Sequence, residues 1–228
     1  MDGFPAHKVE GVVLLIYLVG GADVNKQWLK SLDHKNAIWV GVDRGTQTLL
    51  DAGIRVDRAF GDFDSVSAVE LEFIRSVVQS VETANAEKNE TDLELALNWA
   101  IEQQSDIKIL GATGGRLDHF MGNLQLLSSE KALNYTRLIE IEDEQNRIRM
   151  LKAGKWKVEN CEDFQYLSFI PMTNEVEGLS LTGVKYTLTN YNAVFGSTRT
   201  ISNEIIEPIA SISFSTGILM MVRSKDKS

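Results

Sequence analysis

Apolar and polar positions follow two different rhythms along the chain. Strand-like apolar runs occur at 12–19, 37–42, 56–60, 80–83, 106–110 and 136–140. Between most of them lie helix-like segments over 24–32, 44–52, 66–76, 91–104 and 116–128. This alternation predicts an α/β fold, a mostly parallel sheet with helices on its faces. The helix at 91 carries the clearest pattern. Thr91 and Glu94 form a capping-box pair. Leu93, Ala96, Leu97, Ala100 and Ile101 then recur at the spacing of one buried stripe. "RLDHFMGNLQLL" repeats the pattern with Leu117, Phe120, Met121, Leu124 and Leu127.

After about residue 142 the rhythm changes. "EDEQNRIRML" reads as a charged transition. Beyond it come short runs rich in β-branched and aromatic residues: "KWKVEN", "FQYLSFI", "VEGLSL", "VKYTLTN", "PIASISF" and "GILMMVRS". Gly154, Gly178, Gly183, Gly196 and Gly217 punctuate them at turn spacing. The pattern predicts a smaller antiparallel β-sandwich. No internal repeat or low-complexity segment interrupts either part.

Composition narrows the function without naming it. With 228 residues, 43% hydrophobic and 24% charged, the chain can bury a core in one large domain or two small ones. A net charge of -9 makes a nucleic-acid backbone an unsuitable partner. Cys161 is the single cysteine, which excludes an internal disulfide and a cysteine zinc cluster and suits a reducing cytoplasm. "VVLLIYLV" at 12–19 is too short to span a membrane and suits a buried strand. The opening "MDGFPAHK" lacks the basic and apolar regions of a signal peptide and reads as a loose extension.

In an open α/β sheet, ligands bind beyond the carboxyl ends of the strands. The residues there are unusually chemical. Gly20, Gly21 and Asp23 follow the first run. Asp43, Arg44 and Gly45 follow the second, and "GDFDS" at 61–65 follows the third. "GATGGRLDH" at 111–119 follows the fifth, with Gly114, Gly115, Arg116 and Asp118. Asp62 and Asp64 would project to one side of an extended backbone. Two such carboxylates resist joint ionisation unless a cation lies between them, and Mg2+ is held by such groups together with substrate phosphates. The bland alternative is a solvated turn capping the next helix; position at a strand end favours the metal.

Asp92 stands in the first turn of a helix already capped by Thr91, where an acid also stabilises the helix dipole by roughly 0.3–1 kcal/mol. Lys88, just upstream, is either a phosphate contact or solvated. Glycines ahead of the helix at 116 let backbone N–H groups approach an anion. The loop is no Walker A motif, because the G-K-[ST] ending is missing. Arg116 would neutralise phosphate charge, and Asp118 would pair with Arg116, bind metal or orient a substrate amine. His119 reads as a packing or hydrogen-bonding residue, and the tryptophans at 28, 39, 99 and 156 as core or partly buried. In the β region, Ser202 and Asn203 offer small polar groups at a strand end or simply make a turn.

"DRG" at 43–45, "GDFDS" at 61–65, "KNETDLELAL" at 88–97, "GATGGRLDH" at 111–119 and "SNE" at 202–204, in this order, resemble bacterial thiamine pyrophosphokinases. The resemblance runs from about residue 10 to the end. It implies an α/β ATP- and Mg2+-binding catalytic domain over 1–142 and a β-sandwich thiamine-binding and dimerisation domain over 143–228. It implies transfer of a pyrophosphoryl group from ATP to thiamine, giving thiamine diphosphate and AMP. It also implies a homodimer, with thiamine in a cleft between one subunit's α/β domain and the other's β domain. Asp62, Asp64 and Asp92 would hold Mg2+, with Asp43 close by. Lys88, Thr91 and Arg116 would contact the phosphates, with Gly20, Gly21, Arg44, Gly45, Gly114 and Gly115 lining the nucleotide site. Asp118 would orient the reacting end, and Ser202 and Asn203 would contact thiamine. Two rival readings of the same residues are a metal-dependent nucleotide-sugar transferase and a non-enzymatic nucleotide sensor.

Overall fold

The computed structural model describes residues 15–32, 36–63, 67–78, 80–83 and 90–227. The chain divides into two compact units, Met1–Glu140 and Ile141–Ser228.

In the first unit, β1 (Leu15–Val19), β2 (Ala37–Val42), β3 (Arg58–Gly61), β4 (Ser80–Thr83) and β5 (Asp106–Leu110) are the expected strands. They form a parallel sheet in the order β4-β3-β2-β1-β5. Helices α1 (Lys26–Ser31), α2 (Arg44–Asp51), α3 (Ala68–Val77) and α4 (Asp92–Glu102) supply the crossovers, and α5 (Leu117–Leu127) follows β5. Parallel strands covered on both faces read as unbroken apolar runs, which is the pattern of β1, with Ile16 to Val19 all fully buried. Tyr17, Val19, Trp39 and Ala59 pack with Leu29 of α1, Leu49 of α2 and Ile74 of α3 in one core. Tyr17 stacks on Trp39 with ring centroids 4.3 Å apart. The neighbouring strand positions point to the opposite face. There α4 packs across β1, β2 and β3 through Leu93, Ala96, Leu97 and Ala100. Burying each leucine of that stripe is worth roughly 1.5–3 kcal/mol.

One short helix went unforeseen. Glu130–Asn134 (α6) starts at Ser129, whose hydroxyl accepts from the Ala132 N–H. It is too short to display a 3.6-residue period.

The second unit is antiparallel. Its strands are β6 (Ile139–Glu142), which crosses the boundary, β7 (Asn146–Glu159), β8 (Tyr166–Pro171), β9 (Glu175–Thr182), β10 (Leu188–Val194), β11 (Asn203–Glu204) and β12 (Ile209–Ser224). β12 pairs with β7 along almost its whole length. Its first half also pairs with β9 and its second half with β8. The register shift between Phe214 and Ile218 turns the strand from one partner to the other. The two halves close on a shared core of Leu167 and Phe169 from β8, Val176 and Leu179 from β9, and Ile212 and Leu219 from β12. "PIASISF" and "GILMMVRS", read as separate runs, are therefore one bent strand.

The charged transition is also corrected. "NRIRML" begins β7: Ile148 and Leu151 are buried. Arg147 is neutralised by the buried Glu142 at 2.9 Å and lies over the Phe164 ring at 4.5 Å. Paired charges at strand positions hid the apolar register beneath them.

Candidate active site

Strand order places a switch point between β1 and β5: the chain leaves β1 toward β2 on one side, whereas β5 lies on the other. The two carboxyl ends are joined there by glycines. Gly20 N–H donates to the Leu110 carbonyl at 2.8 Å, and Ala22 N–H to the Gly111 carbonyl at 3.0 Å. A Cβ on either Gly20 or Gly111 would come within 2.7 Å of the other's carbonyl oxygen. Beside them, Gly45 is wedged against the Val19 carbonyl and brings the start of α2 onto the end of β1. Gly45 is buried, so its contribution is this close approach; Gly21 and Arg44 are exposed at the same rim.

Asp43 follows β2, Asp62 follows β3 and Asp92 opens α4. Each of these three offers one carboxylate oxygen, and the oxygens lie within 4.8 Å of one another. Asp43 and Asp92 are half-buried and Asp62 is exposed. Thr91 caps α4, its hydroxyl accepting from the Glu94 N–H at 3.2 Å, so Asp92 is not needed as the cap. Asp43 has φ 50° and ψ -123°, a backbone region that costs a non-glycine residue roughly 1–3 kcal/mol and is retained where a site requires it. An all-oxygen, all-carboxylate set is the donor chemistry of a hard divalent cation such as Mg2+.

The sequence placed Asp43 near this group and Asp64 in it. The structure brings Asp43 into the cluster; Asp64 and Lys88 lie outside the described residues. The signal for Asp43 was its position one residue past β2. It becomes decisive only with the β2–β3 pairing, which sets Val42 against Phe60 and so puts Asp43 beside Gly61.

At the end of β5, Gly114 and Gly115 have φ 76° and 64°. Among the described residues other than their own chain neighbours, no heavy atom lies within 4 Å of where a Cβ would stand at either one. Glycine there serves the turn, and the open space leaves the loop backbone accessible to an anion. Arg116 follows, exposed, and donates to Asp118 through Nε at 3.1 Å and Nη2 at 2.5 Å. That bond holds the Asp118 carboxyl down to about 2, helped by the His119 N–H, and raises the Arg116 guanidinium. Arg116 and Asp118 are thus a preformed pair at the mouth of the glycine turn.

In the second unit, Ser202 is exposed with φ 56°, and its N–H donates to the Ser168 hydroxyl at 2.9 Å. Asn203 is buried. Its Oδ1 accepts from the Tyr186 and Glu204 N–H groups, and its Nδ2 donates to the Tyr186 carbonyl. Asn203 therefore clamps the 183–187 loop onto β11, an arrangement that sequence spacing alone did not reveal.

Comparison with known proteins identifies the family. The family model for the thiamin pyrophosphokinase catalytic domain matches residues 29–138, and that for the thiamin pyrophosphokinase vitamin B1 binding domain matches residues 155–219. A thiamine pyrophosphokinase of Bacillus subtilis (strain 168) is 47% identical over 199 residues, spanning 87% of this chain and 92% of that protein. The crystal structure of a Bacillus subtilis thiamine pyrophosphokinase superposes with a TM-score of 0.85 at 44% identity, covering 93% of this chain and 100% of that one. A Geobacillus thermodenitrificans thiamin pyrophosphokinase gives 0.84 at 45% identity, covering 94% and 99%. With both of its units matched and these bacterial relatives spanned almost end to end, the chain belongs to the thiamine pyrophosphokinase family.

Proposed function

We propose that this chain transfers the pyrophosphoryl group of ATP to the hydroxyl of thiamine, releasing AMP and thiamine diphosphate. Family membership supports the reaction, and the gathering of Asp43, Asp62 and Asp92 at the strand ends is the observation that carries its location. These three carboxylates would hold Mg2+, with Asp64 as a further ligand. A divalent cation bound there would offset the charge of the ATP polyphosphate.

The chain's own groups then position the reactants. The Gly114-Gly115 turn and the Gly20-Gly21 end of β1 present backbone to the phosphates. Arg116 supplies a planar cationic fork, with Arg44 and Thr91 at the same rim and Lys88 as a further phosphate contact. AMP is the leaving group, so the alcohol attacks the β-phosphorus, and alignment plus charge stabilisation are the main demands on the protein. Asp118 paired to Arg116 is a poor base at neutral pH, its carboxyl lying near 2. A phosphate that draws Arg116 away returns Asp118 toward the ordinary carboxylate range; otherwise Asp92 is the acceptor. Ser202 is the thiamine contact, and Asn203 acts through the loop that it clamps.

We assign the protein to a homodimer and to the cytoplasm. The exposed Tyr186, Val194, Phe195 and Ile206 of the second unit support a covered surface there. Cys161 is a free thiol, and among the described residues no helix is long and apolar enough to cross a membrane.

The test is incubation with ATP, Mg2+ and thiamine, resolving AMP from ADP. Thiamine-dependent AMP is expected. A nucleoside diphosphate from a nucleotide sugar would support glycosyl transfer, and ATP binding without turnover would support a sensor. Asp62→Asn should lower kcat by about 10²-fold or more, with the far-UV circular dichroism of the wild type. A variant with near-normal turnover would remove Asp62 from the reacting centre.

A further inference from the structure

We propose that Gly61 is a positioning residue: the missing Cβ at the end of β3 leaves the space occupied by the Asp43 carboxylate, and so fixes that carboxylate in the cluster with Asp62 and Asp92. This rests on the reading of the cluster as a cation site.

Besides Gly20 and Gly111, three glycines near this rim have no room for a side chain, and they differ in what blocks it. At Gly41 a Cβ would meet the Thr46 backbone, with Cα at 2.5 Å. At Gly45 it would collide with the Val19 carbonyl. Backbone cannot yield there without moving α2. At Gly61 the colliding atom is Oδ1 of Asp43; Cα and Cγ of Asp43 are next, both at 3.4 Å. Gly61 is also absent from the positive-φ glycines, so its backbone accepts alanine.

Asp43 cannot relieve the clash by shifting its main chain. Its N–H donates to the Phe60 carbonyl at 2.9 Å, and its carbonyl accepts from the Thr46 N–H at 3.0 Å. Only the side chain can turn. A methyl group at 61 therefore leaves the fold in place and expels one oxygen donor from the cluster. Residues that orient metal ligands without binding the metal typically change affinity by about 10–100-fold when altered.

The experiment compares wild type, Gly61→Ala, Asp43→Gly and the double variant, using Mn2+ alone as the probe by electron paramagnetic resonance. Circular dichroism verifies folding, and a crystal structure of Gly61→Ala locates Asp43. Gly61→Ala is expected to weaken Mn2+ binding about 10–100-fold and to show a turned Asp43 side chain. In the Asp43→Gly background the same methyl group should cost nothing further. A Gly61→Ala crystal with the Asp43 carboxylate unmoved overturns the proposal, as does an equal loss of Mn2+ affinity with and without Asp43. Wild type that binds no Mn2+, or Asp43→Gly that binds it undiminished, overturns the cation reading instead. The Asp43 position in the crystal then still decides the steric role of Gly61.

Discussion

The Asp118 carboxyl lies near 2, against an ordinary value of 3.8, because Arg116 hydrogen-bonds it from two nitrogens. Folding thus favours its ionised form. The stabilisation is fully present above pH 3.8 and is lost as pH falls through about 2. Both side chains are exposed, so solvent screening keeps this contribution small. Arg116→Gln should move the Asp118 titration midpoint up toward 3.8, read by carboxyl carbon chemical shift. A midpoint that stays near 2 would mean that the His119 N–H, not Arg116, holds the carboxylate. The pair was legible in the sequence because its members stand two positions apart. The conformation of Asp43 was not: φ 50° at an aspartate follows from the β2–β3 pairing and the tight start of α2, which no local pattern encodes.

Helix α4 joins the cluster to the sheet. Its first residue is Asp92, and its buried stripe of Leu93, Ala96, Leu97 and Ala100 anchors it across three strands. Thr91 ends the loop and starts the helix, so the cap fixes where Asp92 emerges. Thr91→Ala should cost about 0.5–2 kcal/mol in urea denaturation, and Thr91→Ser should restore most of it. Equal losses in both variants would show that the methyl group, not the hydroxyl, matters. This helix was readable in advance because capping box, apolar period and length all agreed. Each of the elements read less well had one signal overridden. In β7 the charges of Arg147 and Arg149 masked the buried Ile148 and Leu151, and in β12 the irregularity near Gly217 divided one strand into two apparent runs.

At the scale of the molecule, a net charge of -9 suits a cationic substrate. Thiamine carries a fixed thiazolium charge, and an acidic protein raises its local concentration. Raising ionic strength from about 0.01 M to about 0.15 M shortens the screening length from about 30 Å to about 8 Å. At saturating ATP and Mg2+, kcat/KM for thiamine should then fall about threefold or more, while kcat at saturating thiamine holds. An unchanged kcat/KM would remove long-range steering. By itself the sequence determined the order of a parallel α/β part followed by antiparallel strands, and it pointed to the strand ends where Asp43, Asp62 and Asp92 gather. Local periodicity, caps and turn residues carry that information, and they act over a few positions. Tertiary structure decided which acids meet. Asp43, Asp62 and Asp92 come from three separate stretches, and only the lateral order of parallel strands, set by non-local hydrogen bonds and two-sided burial, brings their oxygens within 4.8 Å.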